Sequence, residues 1–424
     1  LNSFKKITQT TLFKITSLNS FSVGLKIGIG LITSKILAVF VGPGGMALVG
    51  NLRNFLTSLE SISTLGFQNG IVKYVAENQK NKSEFQKILA TVFISLLTVA
   101  IILSFVLYFF ATFWNDKIFN NHFDFSIVFR VLALALPWYA VSVFLLAVLN
   151  GLSQFKKVIW INIIGNLIGL LASVFMILQF KTLGALLAIV ITPALLFFVT
   201  FYFLNKEINF LGSIRLHLFD FKIIKNLSSY SLMALISSVF GPIVFLAIRN
   251  NVIQELGIDQ AGFWETITRI SSYYLMFVST ILTVYFLPKL SVAQNNQETK
   301  TIFWRFYKSI LPVFILGVIV IYFARFFIIQ LLFTKEFLPV TSLFIWQLTG
   351  DVFKVASLIL GYNFFAKKLT KAFIFFEIFS LSLLYVSSIV FIKYYGIQGV
   401  VMAQAFDNLV YFSALCLYFR KSLF

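Results

Sequence analysis

Long apolar stretches separated by short polar connections run the length of the chain. A helix needs about 20 mostly apolar residues to cross a bilayer. A window of that length predicts twelve spans, at roughly 15–41, 44–76, 88–112, 125–149, 158–180, 183–204, 224–249, 259–287, 307–332, 338–365, 371–392 and 397–418. The connections often hold Gly or Pro, as at Gly42-Pro43, Gly151, Gly184, Gly257 and Gly396. The pattern predicts an all-α membrane protein.

Composition agrees. The 424 residues are 59% hydrophobic and 12% charged, where a soluble domain carries about 25% charged residues. Phe alone fills 53 positions, which suits helices packed among lipid. Cys416 is the single cysteine, so neither a disulfide framework nor a Cys-based metal site is expected. The stretch Leu1–Lys14 is polar and basic, unlike a secretory signal.

Charge sets direction. With the N-terminus inside, most of the 34 Lys and Arg fall on the cytoplasmic side, among them Lys5, Lys6, Lys14, Lys156, Lys157, Lys222, Lys225, Lys367, Lys368, Lys371, Arg420 and Lys421. The outer loops hold Lys117, Lys181, Arg249, Arg325, Lys335 and Lys393. This bias predicts an inner-membrane protein with both termini cytoplasmic. It also accounts for most of the +19 net charge. Basic groups dispersed over short loops speak against a nucleic-acid partner.

The sequence repeats weakly at about half its length. Leu18-Asn19-Ser20-Phe21-Ser22 corresponds to Leu227-Ser228-Ser229-Tyr230-Ser231, and Gly45 to Arg53 corresponds to Ala261 to Arg269. Val75-Ala76-Glu77-Asn78-Gln79 corresponds to Val292-Ala293-Gln294-Asn295-Asn296. Two six-helix bundles are expected, residues 1–206 and 207–424, as parallel repeats. Transporters so built hold substrate between the halves and rock them.

Charged residues within spans sharpen this. They are Lys26, Lys35, Arg53, Glu60, Lys73, Arg130, Glu265, Arg269, Asp351, Lys354, Glu377 and Asp407. A charge at mid-bilayer costs about 2.5–3.5 kcal/mol on insertion scales, so such groups usually face a cavity or a partner. Lys26, Arg53 and Arg269 lie near the middle of their spans and are the expected substrate-binding cations. Arg grips phosphate oxygens with two parallel donors, so a diphosphate fits. Glu60, Glu265, Asp351, Lys354, Glu377 and Asp407 are candidates for ion coupling or a cavity network. Helix pairing is the competing reading, since Glu265 and Arg269 are four apart and Asp351 and Lys354 three apart. Lys35 is half a turn out of phase with Lys26, while Lys73 and Arg130 sit where they can snorkel. Pro137, Pro193 and Gly241-Pro242 interrupt spans, and the seventh span is the one expected to flex.

Enzyme chemistry is not supported. His122 and His217, the only histidines, fall on opposite sides, and no phosphate loop, metal-spaced acidic cluster or cofactor motif is present. A transporter without cofactor or metal is expected.

Several segments carry a resemblance. Phe40-Val41-Gly42-Pro43-Gly44-Gly45-Met46-Ala47-Leu48 resembles the first loop of exporters in the multidrug/oligosaccharidyl-lipid/polysaccharide (MOP) superfamily. Asn51-Leu52-Arg53-Asn54, Asn69 to Ala76, Ser231 to Ile236 and Phe344 to Val355 more closely resemble Wzx-type flippases of enterobacterial common antigen, the lipid III type. The order and spacing match along essentially the whole chain. The resemblance implies twelve helices in two bundles forming a V. It further implies flipping of undecaprenyl-diphosphate-linked oligosaccharide from the cytoplasmic to the periplasmic leaflet, with glycan polymerase and chain-length machinery as partners. Lys26, Arg53, Asp351 and Lys354 fall in matching segments. A flippase for O-antigen or another surface glycan is the alternative. A cation-coupled multidrug exporter is a further one, against which the excess of cations within spans argues.

Overall fold

The computed structural model of the chain describes residues 11–119 and 123–423. Lys5, Lys6 and His122 lie outside these, as do the side chains of 11–17, 229–231, 233 and 234. Among the described residues there is helix and no strand.

The first half runs α1 (Thr11–Phe40), α2 (Gly42–Ser63), α3 (Gln68–Asn78), α4 (Lys82–Phe109), α5 (Ala111–Phe119), α6 (Ser126–Gly151) and α7 (Phe155–Asn205). The second runs α8 (Phe221–Leu256), α9 (Ile258–Ile281), α10 (Asn296–Leu332), α11 (Phe344–Ala366), α12 (Thr370–Tyr395) and α13 (Ile397–Tyr418). Among the described residues, ten helices are long and apolar enough to cross a membrane. Two more complete the expected twelve. The 51-residue α7 is two helices joined across Lys181, whose φ of 49° and ψ of −122° are not helical. The 22-residue α2 is long enough to cross but carries Asn51, Arg53, Asn54 and Glu60, which lower its hydropathy.

The expected span 44–76 is not one helix. It breaks between Ser63 and Gln68, where Leu65 and Gly66 adopt φ of 53° and 62°. The Gly66 N–H reaches back to Ser61 O at 3.0 Å, closing the end of α2. Left-handed backbone costs glycine almost nothing and so terminates helices readily. At the corresponding place in the second half the helix also loses its regular bonding, through a π-turn over Leu282–Phe286.

The repeat is clearer in the hairpins. Lys181 and Gly396, both at positive φ, turn the chain between α7's two halves and between α12 and α13. Three residues later comes a glycine at close approach. A Cβ on Gly184 would lie 1.9 Å from Met176 O, and one on Gly399 2.2 Å from Phe391 O. Both contacts are eight residues back along the chain. Only glycine lets the returning helix touch the outgoing backbone.

Backbone contacts divide the chain into two compact units. One comprises Leu1–Ile36 and Asn51–Ile243, the other Leu37–Gly50 and Val244–Phe424. Thus α1, α2 and α8 contribute residues to both, and α8 changes unit one residue after Pro242. In the first unit Phe67, Ile71, Val75, Phe144, Val148 and Leu204 form part of one buried cluster. Gly70 admits Leu227, since a Cβ there would sit 2.6 Å from Leu227 Cδ2. Lipid tails are as apolar as leucine, so close packing and hydrogen bonds must hold such helices together. Phe105, Phe109, Leu134, Leu171, Phe198, Phe323 and Phe327 are exposed. Soluble proteins rarely expose so many large apolar side chains along long helices; the solvent for these side chains is lipid, and the chain is an integral membrane protein.

Candidate functional site

In the first unit the polar residues of α2 form a stripe. Arg53, Thr57, Glu60 and Thr64 are spaced by four, three and four, which puts them on one face of a helix. Arg53 and Thr57 are exposed, Glu60 is half-buried and Thr64 is buried. The stripe ends at the break after Ser63, in a cavity of about 150 Å³. Its lining includes Thr57, Glu60, Ser61, Thr64, Gln68 and Ser238.

Glu60 organises that cavity. Gln68 Nε2 donates to its carboxylate at 3.2 Å, and the Tyr139 hydroxyl of α6 donates to its other oxygen. Its backbone carbonyl receives the hydroxyls of Ser63 (2.9 Å) and Thr64 (2.8 Å). Ser58 Oγ donates to Val239 O at 3.1 Å, tying α2 to α8 beside the cavity. Pro242, four residues after Ser238, has no N–H, so the Ser238 carbonyl receives no helical bond from it. Carboxylate, hydroxyl and carbonyl oxygens therefore converge on a small space. Such a set suits water or a small hard cation. Lys26, on α1, is also exposed.

The second unit holds its charges differently. Arg269 is only 4% exposed and its NH2 lies 3.5 Å from Glu265. Glu265 in turn binds Arg249 NH2 at 2.7 Å. Arg249, expected in an outer loop, is 1% exposed, with its guanidinium 5.0 Å from the Trp264 ring. The correction has a structural cause: α8 runs to Leu256, seven residues past Arg249, and carries it into the packed interior. Trp264 Nε1 donates to Gln404 Oε1 at 3.3 Å. Room for the ion pair comes from Gly50, where a Cβ would be 2.4 Å from Glu265 Oε2. The sequence repeat aligns Arg53 with Arg269, yet the first is exposed and the second enclosed.

Asp351 on α11 is 1% exposed and accepts from Ser271 Oγ at 2.6 Å, from the Tyr274 hydroxyl, and from Gln347 Nε2 at 3.2 and 3.3 Å. Gly350, beside it, lets α11 pack on α13, because its Cβ position lies 3.0 Å from Ala405 Cα. Asp407 on α13 accepts from Ser380 Oγ at 3.0 Å. Lys354, three residues after Asp351 on α11, is exposed. Asp351 and Lys354 close no ion pair with each other. Among the described residues no group of three His, Cys, Asp or Glu could hold a metal ion.

Sequence spacing alone missed Tyr139, Gln68, Ser238, Arg249 and Tyr274 as members of these networks. For Gln68 a weak signal existed, since it lies eight residues past Glu60 and two past Gly66. Tyr139 and Tyr274 come from other helices, and nothing in a single sequence pairs them with Glu60 or Asp351.

The chain is similar to several known proteins. Residues 12–294 match the sequence pattern of a family described as "Polysaccharide biosynthesis protein". The "Lipid III flippase" of Escherichia coli (strain K12) is 30% identical over 410 residues, covering 96% of this chain and 97% of that one. The "Lipid III flippase" of Shigella flexneri matches to the same extent. A structure titled as the inward-facing conformation of a multidrug resistance MATE family transporter of the MOP superfamily aligns with a TM-score of 0.79 at 15% identity, covering 93% of this chain and 94% of that one. The lipid II flippase MurJ, in an inward closed conformation, aligns at 0.72 and 17% identity over 95% of this chain and 87% of its own. At these identities the two structures speak to the fold, which they share with this chain.

Proposed function

The chain belongs to the polysaccharide biosynthesis protein family, and from that premise we propose that it flips an undecaprenyl-diphosphate-linked oligosaccharide of the lipid III type across the bacterial inner membrane. It is a transporter and catalyses no bond making. Substrate enters from the cytoplasmic leaflet and leaves to the periplasmic one, and both termini are cytoplasmic. The halves 1–206 and 207–424 move against each other to alternate access. Glycan polymerase and chain-length machinery take up the product.

One observation carries this reading: the stripe Arg53–Thr57–Glu60 on α2, continued by Thr64 just past its end, with an exposed Arg on a helix long enough to cross the bilayer. An exposed Arg within a spanning helix is costly against hydrocarbon, and in this reading it faces water and can meet an anion. In this reading Arg53 and Lys26 receive the diphosphate while the polyprenyl tail stays in lipid. Arg269, enclosed with Glu265 and Arg249, sets the field of the second unit and the shape of its helices. Glu60 and its oxygen-lined cavity supply a place for a coupling proton or small cation, and Asp351, Lys354, Glu377 and Asp407 are the second set of charged residues assigned to coupling in this reading.

Expression of this chain in an Escherichia coli strain lacking its own lipid III flippase tests the proposal. Restored surface common antigen is expected. Failure to restore it, with the protein inserted at normal levels, would refute the lipid III assignment.

A further inference from the structure

A second polar cavity lies apart from the networks around Glu60, Glu265 and Asp351. It occupies about 630 Å³ between the start of α10, the end of α11 and the Arg420–Leu423 turn that follows α13. That volume is in the range of small-molecule sites. Lys367, Arg420 and Lys421 line it, and among the described residues none of the three closes an ion pair. Glu298, the nearest acid on α10, is engaged in capping that helix: it accepts from the Gln294 N–H at 2.8 Å and from Asn295 Nδ2 at 2.9 Å. The N-terminus of the 37-residue α10 also opens here, adding positive potential.

The site is built, because its walls are tied together. Ser422 Oγ donates to Asn296 Oδ1 at 2.8 Å, and Trp304 Nε1 donates to Leu423 O at 2.9 Å, fixing the turn that carries Arg420 and Lys421. Lys367 donates to Ala293 O. Asn363 lines the cavity at 3% exposure, and its Oδ1 has no hydrogen-bond partner. A buried amide oxygen left without a donor is costly, so a ligand bringing a hydroxyl would satisfy it. Leu417 and Tyr418, both exposed, form the apolar part of the lining.

We propose that this cavity binds a phosphate ester carrying a hydroxylated substituent, as found in the glycerol headgroup of an anionic phospholipid. Phosphate oxygens meet Lys367, Arg420 and Lys421, and a headgroup hydroxyl donates to Asn363 Oδ1. Basic pockets at the ends of membrane helices are suited to such headgroups. A soluble polyol phosphate has the same chemistry, but the apolar lining favours the lipid.

Native mass spectrometry of the full-length protein in detergent, after delipidation, tests this. Phosphatidylglycerol is expected to bind about tenfold more tightly than zwitterionic phosphatidylcholine, and the triple variant Lys367→Gln, Arg420→Gln, Lys421→Gln is expected to lose that preference. Phosphatidylmethanol carries the same charge without headgroup hydroxyls. The wild type should bind it about fivefold more weakly than phosphatidylglycerol, the worth of one hydrogen bond, and Asn363→Ala should erase that difference. Competition by soluble glycerol 3-phosphate at equal concentration would support the site with a soluble ligand, and failure to compete would support the lipid. Equal binding of phosphatidylglycerol and phosphatidylcholine, or an unchanged preference in the triple variant at unchanged thermal stability, would overturn the proposal.

Discussion

The hydroxyl of Tyr139 donates a hydrogen bond to the carboxylate of Glu60, joining α6 to the broken end of α2. Two helices of one unit thus meet through a charged group at the rim of an oxygen-lined cavity. Tyr139→Phe removes one donor from that carboxylate. The expected cost is about 1–2 kcal/mol in unfolding from detergent micelles. Glu60→Gln keeps the shape and removes the charge; transport should fall at least tenfold with protein level and melting temperature close to wild type. Transport at the wild-type rate in Glu60→Gln would exclude the carboxylate from coupling.

Gly50 and Glu265 make a second prediction. A methyl group on residue 50 would sit on the Glu265 carboxylate and displace it from Arg249. Gly50→Ala should destabilise by about 1–3 kcal/mol, as overpacking does. Glu265→Ala is worse, because it removes the carboxylate that the enclosed Arg249 and Arg269 share; about 3–5 kcal/mol is expected. Denaturant unfolding in mild detergent measures both, and a Glu265→Ala protein as stable as wild type would show that the network is not structural.

The two hairpins offer a test of opposite sign. Lys181 holds a backbone conformation that glycine holds in the matching turn at Gly396. Lys181→Gly should stabilise by about 1 kcal/mol, and Gly396→Ala should destabilise by about 1–3 kcal/mol, since only glycine adopts that region freely. Melting temperatures of the two variants, measured side by side, should move apart.

Much of the fold was legible because membrane insertion writes itself into sequence. Length and hydropathy located the long helices, though not the break inside the expected span 44–76, and Gly184 and Gly396 marked the turns that the structure contains. The break at Leu65-Gly66 was less legible, because apolar residues continue on both sides and only backbone dihedral angles reveal the interruption. At the site, Arg53 and Glu60 were visible as charges in an apolar helix. Their different fates from Arg269 and Glu265 were not. Burial of Arg269 depends on Arg249 arriving from α8 and on the absence of a side chain at Gly50, neither of which spacing on α9 encodes. Tyr139 was illegible for the same reason: a hydrogen bond across helices has no period.

Arg53 and the transported anion remain the centre of the account. The direct measurement uses proteoliposomes holding a fluorescent polyprenyl-diphosphate oligosaccharide, with a membrane-impermeant quencher reporting the fraction of glycan in the outer leaflet. Wild type should equilibrate the probe between leaflets, Arg53→Ala should stay at the protein-free background, and Arg53→Lys should recover part of the rate, because an ammonium keeps the charge but loses the paired donors. Wild-type liposomes indistinguishable from protein-free ones, or Arg53→Ala liposomes as fast as wild type, would contradict the account.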